Sequence, residues 1–206
     1  MLPEQFSKIE LPIKWYLASY RACTDCKYGI HKLQKEPTSF FDWKVEWAGI
    51  CSLLRASIHL MDKDAKSCMP KKLRDELVSV WDRIKRDRSQ HKIFWEFIYK
   101  ERNNILKQYD FSAYAALLLP DGTIRERRSL LHAMSDGEKE TLIIRGGEYD
   151  GRLALDVALE AAEWIESTIL NAIKAAGYDP EQKVISESFV TAPPHQTLPG
   201  LLGDAD

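Results

Sequence analysis

Residues 152–178 read RLALDVALEAAEWIESTILNAIKAAGY, and this stretch decides the fold. Its apolar positions Leu155, Ala158, Ala162, Ile165, Ile169 and Ile173 recur every three or four residues, the spacing that gathers side chains on one face of an α-helix. Gly177 follows them, where a left-handed residue ends a helix at least steric cost. A long apolar face of this kind needs other helices to cover it.

The rest of the chain supplies them. Residues 4–35 carry Phe6, Ile9, Ile13, Leu17 and Tyr20 at helical spacing. Pro12 should kink or restart that helix, because its ring blocks the backbone bond four residues back, and Pro37 stops it. Thr38 or Ser39 offers an N-cap for FFDWKVEWAGICSLLRASIHLM, whose stripe is Trp43, Trp47, Ile50, Leu54, Ile58 and Met61. Pro70 suits the first turn of a third helix, KKLRDELVSVWDRIKRDR, with Leu73, Leu77, Val80, Trp81 and Ile84 on one side. A fourth begins near Ser89 and Gln90, with Ile93, Phe94, Phe97 and Ile98 as its buried positions.

The pattern changes after Phe111. AYAALLLPDGTIRERR is an apolar run, a Pro-Asp-Gly turn signal and a basic stretch, and TLIIRGGEYDGR reads as a short strand and a glycine-rich turn. The sequence therefore predicts a mainly α protein: a bundle of about five helices in a single domain, 1–178. Residues 112–152 form an irregular or β-hairpin insertion between the last two helices. The Pro- and Gly-containing residues 179–206 are expected to be a disordered tail.

Composition narrows the function classes. Twenty-nine Lys and Arg nearly cancel 31 Asp and Glu, for a net charge of −2, so nucleic acid could be held only by a local cluster of cations. The N-terminus lacks the layout of a secretory signal, and no apolar run approaches the ~20 residues needed to span a bilayer. Four cysteines are too few for a disulfide scaffold in 206 residues. The expectation is a cytoplasmic protein with reduced thiols and no membrane partner.

Motifs for chemistry are sparse. Cys23-Thr-Asp-Cys26 has C-x-x-C spacing, but no second ligand pair accompanies it and it lies in a helical stretch. Gly146, Gly147 and Gly151 do not make a phosphate-loop fingerprint. The five histidines, His31, His59, His91, His132 and His195, are scattered. No metal and no cofactor is expected. Basic residues cluster at 71–74 and 83–88, where acids interleave and a solvated face is the natural reading. They are denser at Arg125, Arg127 and Arg128, which suit phosphate or a solvated loop.

The most informative stretch is FWEFIYKERNNILKQYDF, residues 94–111. Core aromatics run into Glu101-Arg102-Asn103-Asn104, and polarity interrupting an apolar stripe means a cap, a buried polar network or a site. Arg102 and Tyr109, seven apart, share a helix face, whereas Lys107 is rotated about 140° from Arg102. Bringing all three together requires a break after Asn104 or a second subunit. The plainer alternative is that Arg102 and the asparagines only hold a helix end.

At these residues the chain resembles the HEPN superfamily of helical-bundle proteins, one subset of which carries Arg-x4-His-x-Tyr. Here the frame reads Arg102-Asn103-Asn104-Ile105-Leu106-Lys107-Gln108-Tyr109, with Lys107 in the histidine position. The spacings Arg86-x4-His91 and Arg127-x4-His132 lack the motif's context. The resemblance implies a homodimer acting on RNA without a metal, with Arg102 on phosphate, or a partner-binding protein of a defence or toxin–antitoxin type with a cognate antitoxin. A lysine of ordinary pKa is protonated at neutral pH and accepts no proton, so Lys107 implies weakened or absent ribonuclease activity. The expected function is therefore binding of RNA or a partner, with Arg102, Asn103, Lys107, Arg125, Arg127 and Arg128 as RNA contacts. Two alternatives stay open: a metal-independent endoribonuclease using Arg102, Lys107 and Tyr109 as catalytic residues, and a helical protein–protein interaction domain with no nucleic-acid role.

Overall fold

A computed structural model describes residues 10–35, 42–68, 70–126 and 138–189. The chain is mainly α with a small antiparallel sheet. A short strand β1 (Glu10–Pro12) leads into a single turn α1 (Ile13–Tyr16), and α2 (Ala18–Lys35) and α3 (Asp42–Ser67) follow. Pro12 thus restarts the chain as a helix, but the residues just before it are extended. Thr38 and Ser39, the expected N-caps of α3, lie outside the described residues.

The next helix, α4, spans Lys71–Arg86 and begins directly after Pro70. A π-helical segment, Ile93–Tyr99, then runs without interruption into α5, Lys100–Gln108. The segment buries Ile93, Phe94, Phe97 and Ile98. Phe94 packs edge-on against Trp81 of α4 at 5.6 Å between ring centres, and the Trp95 indole donates to the Ile84 carbonyl at 3.0 Å.

The last long helix, α6 (Ala154–Ala175), packs against α2, α3 and α4. Its buried face mixes Ile165, Ile169 and Ile173 with Ala154, Ala158, Ala161, Ala162 and Ala172. The alanines let backbones approach: the Cys23 thiol of α2 reaches the Ala162 carbonyl of α6 at 3.2 Å. Each fully buried isoleucine contributes about 1.5–3 kcal/mol, so this face anchors the core. Gly177, at φ 88°, ends the helix, with Tyr178 N donating to Ile173 O at 3.2 Å and Gly177 N to Lys174 O at 2.9 Å. That crossed pair satisfies carbonyls the helix leaves open.

Residues 112–152 form the expected insertion. Strands β2 (Ala113–Leu118), β3 (Ile124–Glu126) and β4 (Lys139–Ile144) make an antiparallel sheet in the order β3-β2-β4. The Pro120-Asp121-Gly122 turn joins β2 to β3; Gly122 sits at φ 83° and its N–H donates to Leu119 O at 2.9 Å. The chain returns to α6 through a 3₁₀ turn, Gly147–Tyr149.

Residues 179–189 depart from the disordered tail expected of 179–206. Strand β5 (Lys183–Ile185) pairs antiparallel with β1, Leu11 opposite Val184. A turn α7 (Ser186–Phe189) buries Phe189 beside Tyr16 and Tyr178. The Tyr16 hydroxyl donates to Val184 O at 2.8 Å. Apolar and hydrogen-bonded contacts with the N-terminal turn thus hold this stretch, despite its Pro180. Residues 190–206 lie outside the described residues. Among the described residues no helix is long and apolar enough to cross a membrane.

Candidate functional site

The polar cluster at the start of α5 divides into an inward and a lateral half. Glu101 is buried. It accepts the Trp47 indole N–H at 2.8 Å, the Ser112 amide at 3.3 Å and the Ser112 hydroxyl. One carboxylate therefore ties α3 and the entry to β2 onto α5. A cleft of about 230 Å³ lies over it, between α5 and the 145–149 turn.

Arg102 is half-buried on the adjoining face, and its Nη1 donates to the Asn103 side-chain oxygen at 3.0 Å. Helix α5 is unbroken from Lys100 to Gln108, so Lys107 stays about 140° around the axis from Arg102. Lys107 and Tyr109 are exposed. Tyr109 ends the helix in the left-handed region, φ 53°, with its N–H on Ile105 O at 3.0 Å and its ring edge-on to Phe111. One chain therefore does not converge Arg102, Lys107 and Tyr109.

Of the basic stretch, Arg125 lies on β3 and pairs with the buried Glu138 at 2.6 Å; Arg127 and Arg128 lie outside the described residues. In α4, Arg83 faces Glu76 at 3.7 Å and Lys85 faces Asp82 at 2.8 Å, a mixed-charge surface as the interleaved sequence suggests. Cys23, Cys26, Cys51 and Cys68 are all buried free thiols. Burial pushes Cys23, Cys26 and Cys68 up to about 12 and Cys51 well above its usual value. Among the described residues no group of three or more His, Cys, Asp or Glu could hold a metal ion.

Within electrostatic reach of Arg102 is a second guanidinium. Arg55 of α3 lies close enough to repel it, and burial together with that charge lowers the Arg55 pKa. Arg55 is caged by aromatic rings, its guanidinium 5.2 Å from the centre of Phe94, 5.6 Å from Trp81 and 5.9 Å from Tyr99. Such ring faces attract a cation by about 0.5–2 kcal/mol each. The Nη1 atom of Arg55 is buried and has no hydrogen-bond partner among the described residues. Neither arginine has a carboxylate partner there. Arg55 also lines a cleft of about 370 Å³ with Ile58, His59, Asp62 and Trp81.

Sequence reasoning passed over Arg55. The available signal was an arginine four residues after Cys51 and between Leu54 and Ile58, beside the buried stripe of α3. Comparison of the chain with protein-family models, curated proteins and solved structures finds no match.

Proposed function

We propose that this chain is a HEPN-like RNA-binding protein that grips a backbone phosphate between Arg55 and Arg102. The observation that supports the reading is a second guanidinium, Arg55 of α3, within electrostatic reach of Arg102 of α5, neither of them paired with a carboxylate among the described residues. Like charges brought together in a partly buried place are disfavoured unless an anion joins them, and guanidinium forks match phosphate oxygens two at a time. Tyr99 and Tyr109 are exposed at the two ends of α5, and exposed rings of this kind stack on bases of a single strand. Binding is favoured over cleavage because Lys107 stands on another face of an unbroken helix. Catalysis would need Lys107 from a second copy.

The test is fluorescence anisotropy of a labelled single-stranded RNA with wild type, Arg102→Ala and Arg55→Gln over a range of salt. Each charged hydrogen bond lost should cost about 1.5–3 kcal/mol, roughly tenfold or more in affinity. The slope of log affinity against log salt should fall by about 0.7 for each phosphate contact removed. Unchanged affinity in both variants refutes the reading.

A further inference from the structure

We propose that the groove between α3 and α4 is the docking site of this chain's own residues 198–206, with Leu201 and Leu202 covering its apolar floor and Asp204 and Asp206 meeting its cations. The contact is autoinhibitory: it closes the Trp81 side of the bundle to other partners.

Helical spacing lays the groove out. Arg55, His59, Asp62 and Lys66 follow one another on α3 at steps of four, three and four residues, as do Arg74, Val78, Trp81 and Lys85 on α4, so each set forms one row along its helix. The two rows face each other: the helices pack side by side, and the Arg55 guanidinium lies 5.6 Å from the centre of the Trp81 ring. Between them is the cleft of about 370 Å³, with Ile58 buried at its base and Trp81 along its wall. Val78, 50% exposed, continues the Trp81 row. The rows carry four cations, Arg55, Lys66, Arg74 and Lys85, against one carboxylate, Asp62. Lys66 already holds Asp62 at 2.6 Å. Lys85, 5.7 Å over the Trp81 ring, is in an exposed pair with Asp82 at 2.8 Å, and such pairs contribute little. A surface of this balance, on a chain of net charge −2, is complementary to an acidic and apolar segment.

The chain after Phe189 has that chemistry and starts from the right place. Residues 190–206 contain no Lys or Arg, and Leu198, Leu201 and Leu202 come before Asp204 and Asp206. Phe189 packs on Tyr16 at 5.6 Å between ring centres. Two residues beyond Tyr16, the Ala18 amide donates at 2.8 Å to Asp64 of α3, which lies between Asp62 and Lys66. Phe189 is therefore at the end of the bundle where the groove opens. Residues 190–197 span up to about 26 Å, enough to reach that end, and residues 198–206 span up to about 30 Å. The groove from Lys66 to Arg55 is about 16 Å along α3. Entering at Lys66, the leucines meet Val78, Ile58 and Trp81, and the aspartates that follow them come to Arg55 and Lys85.

Paramagnetic relaxation on the full chain tests this. Ala205→Cys carrying a nitroxide places the probe between the two aspartates, and the four native thiols, all buried, stay unlabelled. The amide signals of His59 and Val78 and the Trp81 indole signal should be lost until the nitroxide is reduced, while the amide of Tyr28, exposed on α2, keeps its intensity. Leu201→Ser combined with Leu202→Ser should restore the lost signals, and added salt should restore them in part. No loss at the groove, equal loss at Tyr28 and Trp81, or loss that persists in the double leucine variant overturns the proposal. Equal loss in isotope-labelled chains mixed with nitroxide-labelled ones also overturns it, because the segment in the groove would then belong to a second copy. No RNA enters the experiment, so its outcome is independent of the RNA reading.

Discussion

Replacing Asp64 with alanine should loosen the first turn of α2 from the rest of the bundle. Asp64 lies on α3, 3% exposed, and Ser19 is fully buried. The carboxylate accepts the Ala18 amide at 2.8 Å, the Ser19 amide at 2.9 Å and the Ser19 hydroxyl at 2.5 Å. It therefore caps α2 from a different helix, at the end where open N–H groups favour a negative charge. Asp64→Ala strands two amides and a hydroxyl, and each orphaned buried donor costs about 1–3 kcal/mol. Part of that is offset, because burial holds the Asp64 carboxyl above the usual carboxylate range despite its bonds to Ser19 and Ala18, and removing the group relieves its desolvation. The net loss should be about 2–4 kcal/mol, or roughly 5–15 °C in Tm for a chain of this size. Urea titration at neutral pH measures it. Asp64→Asn, which keeps one acceptor oxygen but turns an amino group toward a donor, should recover only part. An Asp64→Ala midpoint equal to wild type would show that solvent or Ser19 alone caps α2, and would refute the reasoning.

Four further outcomes are expected. The Nδ1 of His91 is buried without a partner among the described residues, and burial lowers its pKa, with Arg83 adding and Asp87 opposing. As pH falls through the unfolded histidine value of about 6.5 the unfolded chain takes up more protons than the folded one; urea midpoints should fall with pH more steeply in wild type than in His91→Gln. The cysteines, with pKa values of about 12 for Cys23, Cys26 and Cys68, should resist a thiol-specific disulfide reagent in the native state and react on unfolding, since the thiolate is the nucleophile. Native-state labelling at a fast rate would count against that burial. Gly177→Ala should destabilise by about 1 kcal/mol, because φ 88° suits glycine; Tyr109→Gly, which relieves φ 53° but gives up the ring contact with Phe111, should stay within about 1 kcal/mol of wild type in thermal melts.

The sequence carried most of the helical framework and little of the site. Helix α6 was legible because its periodicity and Gly177 agree with each other, and α4 because Pro70 and a one-sided stripe mark it. Strand β5 was not, since three residues take that form only by pairing with β1 at the other end of the chain. The π-helical segment was hidden because Ile93, Phe94, Phe97 and Ile98 are spaced as they would be on an α-helix, and no local residue selects the wider bonding. Glu101-Arg102-Asn103-Asn104 was legible as a polar interruption, but its division into a buried tie and a lateral arginine depends on Trp47 and Ser112. Arg55 escaped because its cage is assembled from two stretches remote from it in sequence, Trp81 of α4 and Phe94 and Tyr99 of the π-helical segment.

The π-helical segment also sets a phase. Its bonds span one residue more than those of an α-helix, so the seven residues Ile93–Tyr99 fix the angle at which α5 leaves them. Letting the segment tighten to α-helical bonding with all its residues retained would keep a helix yet turn everything downstream by about 100°. Arg102 would swing off Arg55, and Glu101 would leave Trp47. The side of the bundle on which Arg102 and Glu101 emerge is thus a matter of counting as much as of composition: the bonding of Ile93–Tyr99 decides which side chains meet, even where every residue named at the site is retained.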